Sequence, residues 1–367
     1  MVAPLDVNNL PQVEEFELPT GREYVFLGAV GFEDRGVAVL ERLISTGVKV
    51  TGAIAITYVP HDERNRVADF RRMFGQLRLT PEEQKWIEYR RFDPESFGDQ
   101  LAAADGLLRP DRPLIVDISA MSKFEIAVVL QELRNRDIEV VIAYTESARY
   151  YPTRSQFDLI RASEPESTPD FLTSEVNRIV TTTKLSSVVM QGYPVVCVAF
   201  PTFNHRELLA LVSEVAPQKL IVLHCVPHLG EDGWRREAAA WINRTVAQYV
   251  SADELEDAEV STFEYRDTLR VLESIYHRFS SSHRLVVAPT GSKLQAVAAW
   301  ILKQAHPDVQ MVYPVCSTHV SEYTDGARAV WKIELGRMGN FAGALDRHRK
   351  QQIYDLASKI ADGLRDA

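Results

Sequence analysis

The stretches IVDISAMSK (115–123) and LVVAPTGSK (285–293) decide the fold, because they are one element met twice. Each is a short apolar, β-branched run that ends in a polar turn and then in Ser-Lys. A run of that length bounded by turn residues reads as a buried strand of a parallel sheet. The residues behind each run read as the helix that covers it. Ile126, Val129, Leu130 and Leu133 recur at helical spacing behind the first, and Leu294, Val297, Ala298 and Ile301 behind the second.

On either side of these stretches, two more pairs appear in the same order. Phe32-Glu33-Asp34-Arg35 is matched by Phe203-Asn204-His205-Arg206, each after an apolar run (24–30 and 194–200). Val59-Pro60-His61 is matched by Val226-Pro227-His228, each closing a second run (50–59 and 219–226). The offsets are 171, 167 and 170 residues, and agreement in order and spacing is the mark of an internal repeat. Final runs at 139–145 and 309–315 complete each half. The fold class is therefore α/β: two tandem Rossmann-like domains with mainly parallel sheets, related by pseudo-twofold duplication. The first is expected over 1–160 and the second over 194–335. A polar linker over 161–193 carries a short helix at Phe171–Val180. An amphipathic helix with Leu345, Ile353, Leu356, Ile360 and Leu364 lies within 336–367.

Composition narrows the class of function. The chain has 367 residues, 46% hydrophobic and 25% charged, as a globular protein does. A net charge of −10 argues against a protein that coats nucleic acid, although not against a local basic pocket. The N-terminus does not read as a signal peptide, and no apolar run is long enough to span a membrane. Cys197, Cys225 and Cys316 read as buried thiols, which points to the cytoplasm. Neither Gly-x-Gly-x-x-Gly nor a P-loop is present, and His224, Cys225 and His228 lack the companions of a metal site. No cofactor and no metal are expected.

Parallel sheets bind ligands at the carboxyl ends of their strands, and every paired loop sits at such an end. Ser122-Lys123 and Ser292-Lys293 each set a hydroxyl and an ammonium at a helix N-terminus, beside unpaired N–H groups: the ingredients of an anion site. Thr290 and Gly291 let the second loop approach a phosphate closely, which makes it the stronger of the two. Read alone, the serines are equally well helix N-caps. Arg35 and Arg206 suit phosphate, and Glu33, Asp34, Asn204 and His205 suit a base or ribose. Ser119, His61, His228 and Arg149, the last followed by two tyrosines, complete the candidate rim.

With these motifs in view, the chain resembles the CRISPR-associated Rossmann fold (CARF) superfamily, and the tandem arrangement resembles the related SAVED proteins. Thr290-Gly291-Ser292-Lys293 matches the ligand loop best. Ser119 to Lys123 departs from it, with Ala-Met where glycines are usual. The resemblance implies a cyclic oligonucleotide ligand held across a twofold axis, in antiviral defence. It also implies that such a ligand is in some members cut without metal by its own 2′-OH. In that case Lys123, Lys293, Ser122 and Ser292 would be the catalytic groups. The leading reading is a nucleotide sensor, possible as a homo-oligomer, that passes its signal to a separate effector protein. The alternatives are a metal-dependent nucleotide hydrolase using Glu33 and Asp34, and a scaffold with vestigial clefts.

Overall fold

The computed structural model describes residues 5–163, 175–249, 255–317 and 323–350. The first half runs β1 (Glu14–Glu15), β2 (Glu23–Ala29), α1 (Ala38–Thr46), β3 (Lys49–Val59), α2 (Val67–Gln76), β4 (Gln84–Arg90), α3 (Phe97–Ala102), β5 (Leu114–Asp117), α4 (Lys123–Leu133), β6 (Glu139–Tyr150) and α5 (Arg154–Ser163). After β7 (Val176–Val180), the second half runs β8 (Val195–Ala199), α6 (His205–Val215), β9 (Lys219–Val226), α7 (Trp234–Ile242), β10 (Leu255–Ser261), α8 (Tyr265–Phe279), β11 (Arg284–Ala288), α9 (Lys293–Ala305), β12 (Gln310–Met311), β13 (Tyr313–Cys316) and β14 (Thr324–Arg337). A last helix, α10, covers 338–350.

Both halves order their parallel strands alike. The first sheet contains β4-β3-β2-β5-β6, and the second is β10-β9-β8-β11-β12. That is one α/β winding order written twice, third-second-first-fourth-fifth, as a repeated Rossmann-like unit requires. In each sheet the third strand lies at the edge, and neither was visible as an apolar run. QKWIEYR (84–90) and LEDAEVS (255–261) each carry three charged residues because one side meets water.

Three further features differ from the sequence expectation. The helix expected at Phe171–Val180 is not formed: residues 176–180 are a strand antiparallel to β13, and 171–174 lie outside the described residues. Val176, Ile179 and Val180 give that segment the β-branched character of a strand. The run 309–315 is split, with β12 joining the second sheet and β13 leaving it for β7. Finally β14, most of which falls inside 194–335, pairs antiparallel with β6 and so extends the first sheet. Of the terminal helix, Leu345 is buried and Phe341 stacks on Trp300 at 6.1 Å. Ile353, Leu356, Ile360 and Leu364 lie outside the described residues.

The helices behind the two Ser-Lys loops pack on each other as well as on their sheets. In α9 every residue from Leu294 to Ala305 is buried, and in α4 Phe124 to Leu130 are. A helix apolar all round is a core helix, and these two form the seam of one core that draws on both halves. Gln304 Nε2 donates to Gln131 Oε1 across that seam at 2.7 Å. Among the described residues no helix is long and apolar enough to cross a membrane.

Candidate functional site

Because α4 and α9 lie side by side, their N-termini open on one cavity of about 340 Å³. Its walls are the loops that leave the carboxyl ends of the first four strands of each sheet. Ser122 and Lys123 face Ser292 and Lys293 across it, and Glu33, Arg35, Thr290, Gly291 and His228 join them.

The serines are held as caps. Ser122 Oγ accepts from the Glu125 N–H at 3.2 Å, and the Glu125 carboxylate accepts from the Ser122 N–H at 3.0 Å. Ser292 and Gln295 repeat this box at 3.1 and 2.6 Å, and the Ser292 hydroxyl donates to the Thr262 carbonyl at 2.6 Å. The capping box fixes where each lysine starts its helix. A side chain at Gly291 would meet Gln295 Oε1 at 2.0 Å and Phe200 at 3.0 Å, so the second loop must be glycine there.

The lysines cross over. Lys293 reaches into the first half and donates to the Met121 carbonyl at 2.6 Å. Lys123 faces Tyr313, Tyr323 and Glu207 of the second half, and its ammonium makes no hydrogen bond within the described residues. Burial drives the Lys293 amine down to about 7, with Arg35 and Lys123 adding like-charge repulsion. Burial also works against the Lys123 ammonium, but Tyr313, Tyr323 and Glu207 outweigh it and hold it above the ordinary lysine value. Glu33 is buried, where desolvation opposes its charge. Arg35 and Lys293 overcome that and keep the carboxyl below its usual range. Its Oε1 accepts from Arg35 at 2.8 Å and from Thr324 at 2.9 Å.

Beneath the floor, the Tyr58 hydroxyl contacts the Glu125 carboxyl and the Ala120 carbonyl, the latter at 2.9 Å. One hydroxyl hydrogen cannot serve two acceptors. Burial lifts Glu125 to about 7, and a protonated Glu125 donating to Tyr58 frees the Tyr58 hydrogen for the Ala120 carbonyl. Gln295, the neutral counterpart, stands at the same helix position in the other half. Glu125 ordinarily ionises near 4.5, so its folded value is raised and the folded state gains by holding the proton. That gain is complete below about 4.5 and is lost as pH rises towards 7. Glu125→Gln should therefore flatten the stability decline between pH 5 and 8 by on the order of 2–3 kcal/mol, read from urea midpoints. A decline unchanged in the variant would contradict this assignment.

Seven candidates lie outside the cavity. Asp34 pairs with Arg66 at 2.8 Å and is 56% exposed. Arg149 faces solvent beside Asp325, and His61 is exposed past β3. Ser119 is buried below the loop, bonded to Asp117 and accepting from the Thr145 N–H at 2.8 Å. Asn204 caps α6, accepting from the Arg206 N–H at 3.0 Å, while His205 and Arg206 sit in the first turn. The Arg206 guanidinium lies 3.8 Å from Glu175. The contrast with Glu33 and Arg35 is local in origin. In the first half a 3₁₀ turn (Asp34–Val37) precedes α1 and leaves Arg35 buried on the cavity wall, whereas α6 begins directly at His205.

Several lining residues gave no clear signal in the sequence: Tyr58, Tyr144, Tyr313, Glu146, Phe263 and Arg235. The tyrosines and Glu146 lie within strands that read as core, and only their polar tips, near the carboxyl ends, hint at a site. Arg235 donates to the Tyr151 and Pro152 carbonyls at 3.0 and 2.8 Å and lies 4.5 Å over the Phe203 ring. It fastens α7 of the second half to the rim of the first. Among the described residues, no group of three or more His, Cys, Asp or Glu is arranged to hold a metal ion.

Fold and site together define a two-unit Rossmann-like α/β protein with a lysine-lined cavity between the units. No family model matches the chain, and no curated protein does. Among solved structures, 76% of the chain aligns with a type III CRISPR defence DNA nuclease activated by cyclic oligoadenylate, at 10% identity and a TM-score of 0.43. The chain spans 63% of that nuclease's length. It aligns over 80% with the cytoplasmic domain of a prokaryotic cation chloride cotransporter (9% identity, 95% of that chain, TM-score 0.24). A functionally unknown protein from Pseudomonas aeruginosa PAO1 matches over 89% (11% identity, 97% of that chain, TM-score 0.23). Scores this low carry no argument about function.

Proposed function

We propose that the protein is a sensor that binds one small phosphate-bearing nucleotide in the cavity between its halves. The observation that carries this reading is Lys123: it lines the cavity, its neighbours hold the ammonium above the ordinary lysine value, and it makes no hydrogen bond inside the described residues. Three N–H donors on a half-buried cation favour an acceptor, and a phosphate supplies several. Lys293 and Arg35 crowd the same space, and an anion between them would relieve their repulsion. A volume of about 340 Å³ falls at the small end of the range for ligand pockets, which suits one compact ligand. The resemblance of the paired loops to CARF domains is what suggests a cyclic oligonucleotide messenger and a role in antiviral defence.

The hydrolase reading loses support because its two carboxylates are separated. Glu33 is held by Arg35 inside, and Asp34 by Arg66 outside. Cleavage by the ligand's own 2′-OH stays compatible with the site. The serines are occupied as caps, so charge stabilisation would fall to Lys123 and Lys293. A thermal-shift screen of cyclic and linear nucleotides in excess chelator tests the reading. A ligand that raises the melting temperature of the protein, and at the same concentration raises that of Lys123→Ala less, is the expected result. No shift with any nucleotide, or a shift only with added Mg²⁺, would remove it.

A further inference from the structure

Resting on that reading, we propose that the cavity contains a base-recognition subsite, built from His228, Phe263 and Glu146, that takes guanine. Glu146 on β6 is buried at 4% exposure yet lines the cavity. His228, from the loop after β9 of the other half, brings its Nε2 to 3.3 Å from Glu146 Oε1. The His228 side chain stays 31% accessible. Its ring lies on Phe263 at 4.4 Å with a 31° tilt, and Phe263 is braced edge-on by Trp331 at 5.0 Å.

This arrangement matches the needs of a nucleobase. The supported His228 ring is a stacking platform, and flat rings on aromatic side chains are how unpaired bases are held. Glu146 lies beside that ring, its Oε1 3.3 Å from Nε2. Both carboxylate oxygens are acceptors, so an edge that pairs with both of them must offer two donors. Guanine presents adjacent N1–H and 2-amino donors on one edge, a pattern that pairs with both oxygens of a carboxylate. Adenine and cytosine put a ring acceptor next to their amino group, which a carboxylate repels, and uracil flanks its single N–H with two carbonyls. Because Glu146 comes from the first half and His228 and Phe263 from the second, a base seated here would bridge the halves, as the crossed lysines do.

The test is titration calorimetry of the full chain with the 5′-phosphorylated dinucleotides pGpG, pIpI and pUpU, which share their phosphates. Inosine lacks only the 2-amino group. The expected result is pGpG at least tenfold tighter than pIpI, and tighter still than pUpU. Glu146→Gln should collapse that ratio, because its amide can donate as well as accept, with near-UV circular dichroism confirming the fold. Lys123→Ala should weaken pGpG and pIpI equally and leave their ratio unchanged. Equal binding of all three dinucleotides, or a ratio untouched by Glu146→Gln, would overturn the base subsite while the phosphate site stands. No binding of any of them would overturn both.

Discussion

Lys123→Ala is expected to weaken a phosphate-bearing ligand by roughly 10- to 150-fold, the usual worth of about 1.5–3 kcal/mol for a hydrogen bond to a charged group. Lys293→Ala is expected to weaken it less. The loop sequences alone suggest the opposite order, since Gly291 makes the second loop the closer fit to a phosphate. The side chains reverse it. Lys293 already donates to the Met121 carbonyl, and its amine is driven down to about 7, so part of its binding strength is withheld. Lys123 keeps its charge and has no hydrogen bond to give up within the described residues. Neither change should disturb the fold, because both capping boxes are made by Ser122, Glu125, Ser292 and Gln295. Isothermal titration of both variants with the best ligand of the screen measures the order directly. Parent-like affinity in both would reduce the Ser-Lys loops to helix caps.

The second large effect is on pH dependence. With no ligand bound the Lys293 amine is driven down to about 7 despite Glu33 nearby, and a ligand anion favours the ammonium, raising that value. Ligand binding must then take up a proton at any pH between the two values. Affinity should be greatest below pH 7 and fall above it, by up to about tenfold per unit while the bound form still holds the proton. Lys293→Met should abolish both the slope and the proton uptake. Calorimetry in two buffers of different ionisation enthalpy reads the uptake. A pH-independent affinity between 6.5 and 8.5 would show that Lys293 does not face the anion.

How much of this was legible in the sequence depends on what each residue answers to. The parallel strands at the centre of each sheet were plain, because burial on both faces leaves a run without charge, rich in β-branched residues, such as VTGAIAITYV (50–59). The edge strands β4 and β10 were hidden by the same physics, since water on one side fills them with charge. That Lys123 and Lys293 belong together came from the repeat. That they cross into opposite halves did not, for it depends on how α4 packs on α9, and periodicity says nothing of partners. Glu33 and Arg206 show the limit most clearly. They sit in loops the repeat makes equivalent, yet one 3₁₀ turn before α1 sends Glu33 and Arg35 to the cavity, while Arg206 meets Glu175. His228 was a candidate in the sequence, but its pairing with Phe263 was out of reach for a similar reason, as it joins loops after different strands.

If two repeated halves make one anion site between them, binding stoichiometry must show it. The measurement is a titration of the full chain in excess chelator with its best nucleotide, at protein concentrations well above the dissociation constant. One ligand per chain is expected, lost when Lys123 and Lys293 are both replaced by alanine. Two equivalent ligands per chain, or one that survives the double replacement, would contradict a shared site.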